Sequence, residues 1–220
     1  NTRKRNEKRT AINQIIIDLL KGFPKVAYVG YTATPFANMF IDPTYPHDLY
    51  PRHFICDLPR SDDYFGPESL FGREARTPDE PEPPTLDMVR IVGESEKKSL
   101  LPPKGKGSAA KFAPTATKSL QDAINWFLLA TSARWLRAGE PLHSTMLIHT
   151  SALVAAHDRM WEPVVHHIQA LKHSLEEGDA TIREGLSNQW AQETSRVDGS
   201  IWGLAPLDAG AVVDAMPGTI

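Results

Sequence analysis

The distribution of proline constrains the fold of this chain more than any other feature. Of 18 prolines, 12 lie between residues 41 and 115. Proline donates no backbone N–H and fixes φ, so a stretch this rich in proline forms neither a long helix nor a central strand. We therefore expect residues 46–115 to form an irregular connector or insert between two more regular parts of the chain.

Composition excludes several classes of protein. Lys and Arg number 24 and Asp and Glu 27, a net charge of −3, which excludes a generally basic nucleic-acid binder but not a local basic patch. The single cysteine, Cys56, excludes a disulfide framework and a Cys₄ zinc site. No apolar run approaches the roughly 18 residues of a membrane span. The chain opens with charge rather than a signal peptide, so we expect a cytoplasmic protein.

The part before the connector has an α/β pattern. Apolar residues recur with helical spacing over residues 11–21, and Gly22 and Pro24 predict the end of that helix. Residues 25–31, KVAYVGY, have the β-branched and aromatic content of a buried strand. A helix followed so closely by a strand predicts a parallel α/β sheet.

The part after the connector repeats this pattern. We predict a helix over residues 119–139, capped by Ser119, and a second buried strand over 144–150. Residues 152–178 follow as a helix that Pro163 kinks or splits, and residues 181–194 form another. The tail, 196–220, is expected to be poorly ordered. The predicted fold class is thus α/β. Since the chain starts at Asn1 and ends in a loose run of small residues, we expect a fragment of a longer protein.

The sharpest local feature is the sequence Thr-Ala-Thr-Pro at the end of the first predicted strand. The carboxyl end of a parallel strand is where α/β proteins place ligand contacts, so the hydroxyls of Thr32 and Thr34 are candidate site groups. Pro35 would end the strand. The alternative is a plain strand end whose threonine hydroxyls bond to local backbone.

The longer sequence YVGYTATPFANMFIDP, residues 28–43, closely resembles the signature of the Z1 domain, found in helicase-like proteins of bacterial restriction and repair loci. TATP itself resembles motif III of superfamily 2 helicases. Residues 48–72 and MLIHTS at 146–151 are similar to further segments of that family. The resemblance implies a P-loop NTPase fold with two RecA-like lobes. Residues 1–45 would end the first lobe, and residues 116–195 would begin the second.

The resemblance also implies a function. The full-length protein would be an ATPase that binds ATP and Mg²⁺, acts on DNA and works with other restriction or defence subunits, away from the membrane. Thr32 and Thr34 would couple hydrolysis to movement of the lobes, without taking part in the chemistry. The sequence departs from the family in having neither GxxxxGK[ST] nor an acidic Mg²⁺-binding motif. We therefore predict that this chain alone does not hydrolyse ATP.

Two places are candidate DNA contacts. Arg3, Lys4 and Arg5 belong to a basic run at the start of the chain, and such side chains neutralise phosphates in any sequence context. Thr150 and Ser151 follow the second predicted strand, where hydroxyls can bond to a phosphate. The alternatives are a solvated basic run and helix capping by Ser151.

Two other classes of function remain open from the residues. A metal-dependent endonuclease of the same kind of system needs two acids and a lysine, and Asp87, Glu96 and Lys98 match by residue type. A non-catalytic interaction module is the other alternative. Four histidines, at positions 157, 166, 167 and 173, lack the i, i+4 spacing with a further ligand that zinc favours, and we interpret them as solvated helix residues.

Overall fold

The computed structural model describes residues 11–34, 39–41, 43–44, 49–59, 61, 64–72, 77, 79, 85–105 and 107–220. Contacts divide the chain into two units, Asn1–Tyr64 and Phe65–Ile220. Within the described ranges the regular structure is helical, and no residue there belongs to a strand. No helix in those ranges is long and apolar enough to cross a membrane.

The first unit contains helix α1, Ala11–Lys21, with the bounds that the sequence predicts. Its apolar stripe is not a core face, however, because Ile12, Ile15 and Leu19 are mostly exposed and Ile17 is the buried residue. Residues 25–31 form neither a helix nor a strand and are exposed, up to 87% at Tyr31. The predicted buried strand is therefore wrong within the described part of this unit.

The second unit is a helical assembly. Its α-helices are α2 (Pro67–Phe71), α3 (Lys97–Leu100), α4 (Lys118–Ala138), α5 (Val154–Glu176), α6 (Ala180–Arg196) and α7 (Ala209–Ala215). Short 3₁₀ segments occur at Ser108–Lys111, Gly199–Trp202 and Met216–Thr219. Helix α4 packs against α6, α7 and the last 3₁₀ segment, and α5 packs against α6.

Helix α4 supplies the centre of the core because its apolar residues recur every three or four positions. Ile124, Leu128 and Leu129 are buried, and Leu129 is completely so. Thr131 lies on the same face and, as its position predicts, donates its hydroxyl to the Phe127 carbonyl at 2.8 Å. The helix ends at Gly139, whose φ of 73° is in the left-handed region that favours glycine.

The α/β prediction with RecA-like lobes is wrong for the described residues. Residues 144–150 form neither a helix nor a strand, but their exposure alternates as in a strand, with Met146 and Ile148 packed against the helical core. However, their backbone forms no ladder with any described segment, and neither does that of residues 25–31. A sheet requires backbone hydrogen bonds between neighbouring strands, so a segment without such a neighbour does not form a sheet.

A further expectation differs from the structure, and one of the two alternatives for Pro163 is excluded. The tail expected to be poorly ordered instead forms α7 and a 3₁₀ turn, and Val212, Val213 and Met216 are among the most buried side chains. Pro163 lies inside α5 without splitting it. Its missing N–H removes one backbone bond, and the packing of buried Met160 and Val164 on either side holds the helix together.

Candidate binding groove

A groove of about 1180 Å³ lies in the described part of the second unit. One wall is α4 and another is α6. Residues 86–92, which we call the strap, form a third side, and residues 197–204 close one end. Its volume slightly exceeds the usual range for ligand pockets, so it has room for a large ligand or an extended chain.

The apolar part of the groove is built around two tryptophans. The rings of Trp126 on α4 and Trp190 on α6 have centroids 5.6 Å apart and planes tilted by 35°. Such tilted pairs stabilise both packing and position. Trp202, half exposed, also lines the groove. The pair therefore joins the two helical walls with Trp190 buried, while Trp202 exposes aromatic surface.

Amide side chains provide polar groups along the same walls. Gln189 on α6 donates to the Asp122 carbonyl of α4 at 2.7 Å. Asn125 Oδ1 lies 2.9 Å from His167 Nε2. Burial is the largest influence on His167 and lowers the pKa of its imidazole, which the charge on His166 lowers further while Asp122 acts in the opposite direction. His167 is thus favoured as a neutral hydrogen-bonding group.

The strap meets α6 through four charged residues, which we call the ion ring. Arg90 donates to Glu193 through both Nε, at 3.2 Å, and Nη2. Arg196 Nε donates to Asp87 Oδ2 at 2.7 Å, and Arg90 Nη1 lies 3.3 Å from Asp87 Oδ1. The hydrogen bond from Arg196 is the main reason that the pKa of Asp87 lies below its usual range.

The three residues considered for a nuclease are not gathered into one centre. The carboxylate of Asp87 is engaged by Arg196 and Arg90, and that of Glu96 accepts the backbone N–H of Ser119. Lys98 lies in the single-turn helix α3. No group of three or more His, Cys, Asp or Glu side chains in the described ranges is placed to hold a metal ion. Among the histidines, His149 and His157 form a ring contact at 5.2 Å.

The residues predicted from the sequence as site groups come from other segments of the chain than the residues that line the groove. Thr32 and Thr34 belong to the first unit, where Thr32 Oγ1 accepts the Thr34 N–H at 3.0 Å, the local bonding that was the alternative interpretation. Arg3, Lys4, Arg5, Pro35 and Asn38 lie outside the described residues.

Thr150 and Ser151 are half buried just before α5, beyond the lining of the groove. Ser151 Oγ accepts the Leu153 N–H at 3.2 Å. The bond resembles the helix capping by Ser151 that was the alternative interpretation. It differs in that the N-cap residue of α5 is Leu153, two positions later. The hydroxyl of Ser151 is therefore engaged by local backbone at the helix entry.

Residues 119–213 match the family model of the Z1 domain. Neither a curated protein nor a solved structure matches the chain. The Z1 match begins one residue inside α4 and ends within α7, so it spans both helical walls of the groove. The predicted resemblance is confirmed for these residues, whereas the segment that first indicated the family, 28–43, lies outside the match.

Sequence reasoning missed the groove-forming residues of the Z1 segment. Gln189, Glu193 and Arg196 recur on one face of α6, which reads from sequence as an ordinary solvated helix face. Their partners lie far away in the chain, 109 positions in the case of Arg196 and Asp87. The local signal was a run of three amide residues around Trp190, between positions 188 and 192.

Proposed function

We propose that this chain is part of a Z1-type, helicase-like ATPase that acts on DNA in a bacterial restriction, defence or repair system. In this proposal the helical second unit is a non-catalytic binding module of that protein. The observation that carries it is the coincidence of the Z1 match, residues 119–213, with the helices that build the groove. ATP, Mg²⁺, DNA and other subunits of the system would be partners of the full-length protein.

The chemistry of the groove supports a binding role for the second unit. Ligand sites are mostly apolar and aromatic, with a few fixed polar groups that orient the ligand. The groove has this composition, with Trp126 and Trp190 held together and with Asn125 and Gln189 fixed by hydrogen bonds. Most of its charged residues are paired with one another, as Arg90 is with Glu193 and Lys118 with Asp122, so the groove favours a ligand without a large net charge.

The residues of this chain do not fit MgATP. The sequence contains no GxxxxGK[ST] loop to surround the phosphates, and the described carboxylates do not converge on a metal position. We therefore assign nucleotide binding to other parts of the full-length protein. In the proposal Thr32 and Thr34 couple hydrolysis there to movement on DNA, and Arg3, Lys4, Arg5, Thr150 and Ser151 contact its phosphates.

Phosphate release tests the catalytic part of the proposal. The purified 220-residue chain is incubated with ATP and Mg²⁺, with and without single-stranded or duplex DNA. We expect no turnover above the protein-free blank. Turnover that disappears in a Thr32→Val/Thr34→Val variant would overturn the assignment of hydrolysis to other segments.

The full-length protein tests the coupling role of the two threonines. The Thr32→Val/Thr34→Val variant is expected to lose most DNA-stimulated ATP hydrolysis while its affinity for DNA is unchanged. Thr145→Val, an exposed threonine of the second unit, is the matched control and keeps full activity. Wild-type levels of DNA-stimulated ATP hydrolysis in the double variant would show that the two threonines do not couple hydrolysis to DNA.

Salt-dependent DNA binding tests the basic run. Each phosphate contact contributes about 0.9 to the slope of log K against log salt, so an Arg3→Gln/Lys4→Gln/Arg5→Gln variant should lower that slope by about 3. Thr150→Val/Ser151→Ala should weaken binding with little change in slope. An unchanged slope in the triple variant would exclude these phosphate contacts. Mg²⁺-dependent DNA cleavage that is lost in Glu96→Ala would favour the endonuclease alternative instead.

A further inference from the structure

The strap, residues 86–92, is joined to the rest of the second unit in an unusual way. It belongs to neither a helix nor a strand, and Asp87, Met88, Arg90, Ile91 and Val92 line the groove. Its one backbone–backbone bond within the described ranges is internal, from the Met88 N–H to the Leu86 carbonyl. No backbone ladder therefore fixes the strap to α4 or α6.

Packing also holds the strap weakly. The side chains of Met88, Val89 and Val92 are about half exposed, and Ile91 is 94% exposed. Apolar burial stabilises in proportion to the area removed from water, so these residues contribute little to holding the segment in place. An ordered segment must still offset the entropy of fixing its backbone, and another interaction has to supply that free energy.

The ion ring is the interaction that holds the strap against α6, since backbone bonds and apolar packing contribute little. Two arginines and two acids alternate between the strap and α6, so that each strap residue has an oppositely charged partner on the helix. Glu193 is the least exposed member, with 16% of its side chain accessible, and Arg90 binds it through two nitrogens. A two-nitrogen contact between arginine and a carboxylate is directional as well as strong.

We propose that the strap is a detachable cover of the groove, held closed by the ion ring of Asp87, Arg90, Glu193 and Arg196. When the ring opens, the strap leaves α6 and the groove widens toward Trp190 and Trp202. The state of the ring thus controls access to the groove. This inference concerns the second unit alone and holds whether or not the full-length protein is an ATPase.

Ionic strength affects such a latch directly. The Debye length shortens from about 10 Å at 0.1 M salt to about 3 Å at 1 M, and partly exposed pairs weaken accordingly. Apolar contacts become stronger or stay unchanged as the salt concentration rises over this range. Opening that increases with sodium chloride therefore distinguishes an ionic latch from a packed segment.

Tryptic cleavage after Arg90 measures detachment of the strap in the intact chain. The key variant is Arg196→Gln, because Arg196 binds Asp87 and leaves the contact between Arg90 and Glu193 in place. We expect cleavage after Arg90 to become roughly three- to tenfold faster in this variant, and faster in the wild type as salt rises. A synthetic peptide of residues 86–92 digested in parallel corrects for the response of trypsin to salt.

Glu94→Gln is the matched control, since it removes the exposed pair between Glu94 and Lys97, outside the groove. It should leave cleavage after Arg90 at the wild-type rate. Equal rates in Arg196→Gln and Glu94→Gln would overturn the latch. A thermal unfolding curve for each variant separates detachment of the strap from unfolding of the whole unit.

Widening of the groove is tested with the apolar dye ANS. Arg196→Gln should bind more dye than Glu94→Gln at the same protein concentration, because aromatic groove surface becomes accessible. Faster cleavage without additional dye binding would show that the strap detaches without covering the groove. That result would overturn its role as a cover.

Discussion

The carboxylate of Glu96 accepts a hydrogen bond from the backbone N–H of Ser119, 3.2 Å away and 23 positions later in the chain. The N-cap residue of α4, Thr117, makes no capping hydrogen bond with its side chain. A carboxylate at the first turn of a helix satisfies a free N–H and interacts well with the helix dipole. The connector thus caps the central helix of the core.

Glu96→Gln should destabilise the second unit in a pH-dependent way. The pKa of Glu96 lies below its ordinary value of 4.5, chiefly because of the nearby Thr117 hydroxyl and then because of Ser119. Thr117 Oγ1 has no hydrogen-bond partner, so we regard the bond from the Ser119 N–H to the Glu96 carboxylate as the capping interaction. A lowered folded-state pKa means that the stabilisation is complete above 4.5 and disappears as the pH falls through the folded-state value.

Urea unfolding of wild type and Glu96→Gln at about pH 7 and about pH 3 measures this linkage. The variant should unfold at lower urea near neutrality, and the two midpoints should converge in acid. Glu94→Gln, whose partner is the exposed Lys97, should match the wild type at both pH values. A gap between wild type and Glu96→Gln that persists in acid would show that the carboxylate charge is not what stabilises α4.

Leu129→Ala should cost about 2–5 kcal/mol of unfolding free energy. Leu129 is fully buried within the α4 face of the core, so truncation leaves a cavity that the neighbouring helices can only partly fill. Leu147→Ala is the same substitution at a position that is 85% exposed, and it should change stability by less than about 0.5 kcal/mol. Equal costs at the two positions would contradict the assignment of the core.

The longer helices of this chain could be predicted from sequence because their information is local, whereas the short helix α7 in the tail could not. Residues 11–21, and α4 with its Thr131 back-bond and Gly139 end, follow from apolar spacing and capping chemistry within one stretch. Whether a sheet forms could not be predicted from local sequence in the same way. Residues 144–150 have the alternation of a strand and keep it in the structure, but a local pattern says nothing about whether a neighbouring strand exists.

The groove could not be predicted from the sequence for a related reason. It forms where α4, α6 and the strap meet, and the contacts that define it join residues such as Gln189 and Asp122, 67 positions apart. Local sequence predicts Ser119 as the cap of α4, whereas the Glu96 carboxylate from the connector accepts the Ser119 N–H. Tertiary packing determines whether a backbone N–H bonds to a partner nearby in sequence or to a distant one. A local sequence pattern does not contain that information.

Met216→Ala should destabilise the second unit by about 2–5 kcal/mol, although it lies in the tail that sequence patterns left without structure. Met216 is fully buried, and Val212 and Val213 in α7 are nearly so. The loss of its side chain removes contacts within the core that α4 and α7 share. Thermal or urea unfolding of the variant measures the cost, and a stability equal to wild type would mean that the tail is peripheral.

His167 should make the stability of the second unit depend on pH between neutrality and mild acid. Burial is the largest cause of the lowered pKa of its imidazole, below an ordinary value of 6.5. For a histidine whose folded-state pKa is depressed, stability is complete above the unfolded-state value and is lost as the pH falls through the folded-state value. We therefore expect the urea midpoint to fall as the pH drops below about 6.5, and His167→Gln to remove this part of the decline. An NMR titration in which His167 has a pKa at or above 6.5 would contradict the assignment of a neutral imidazole bonded to Asn125.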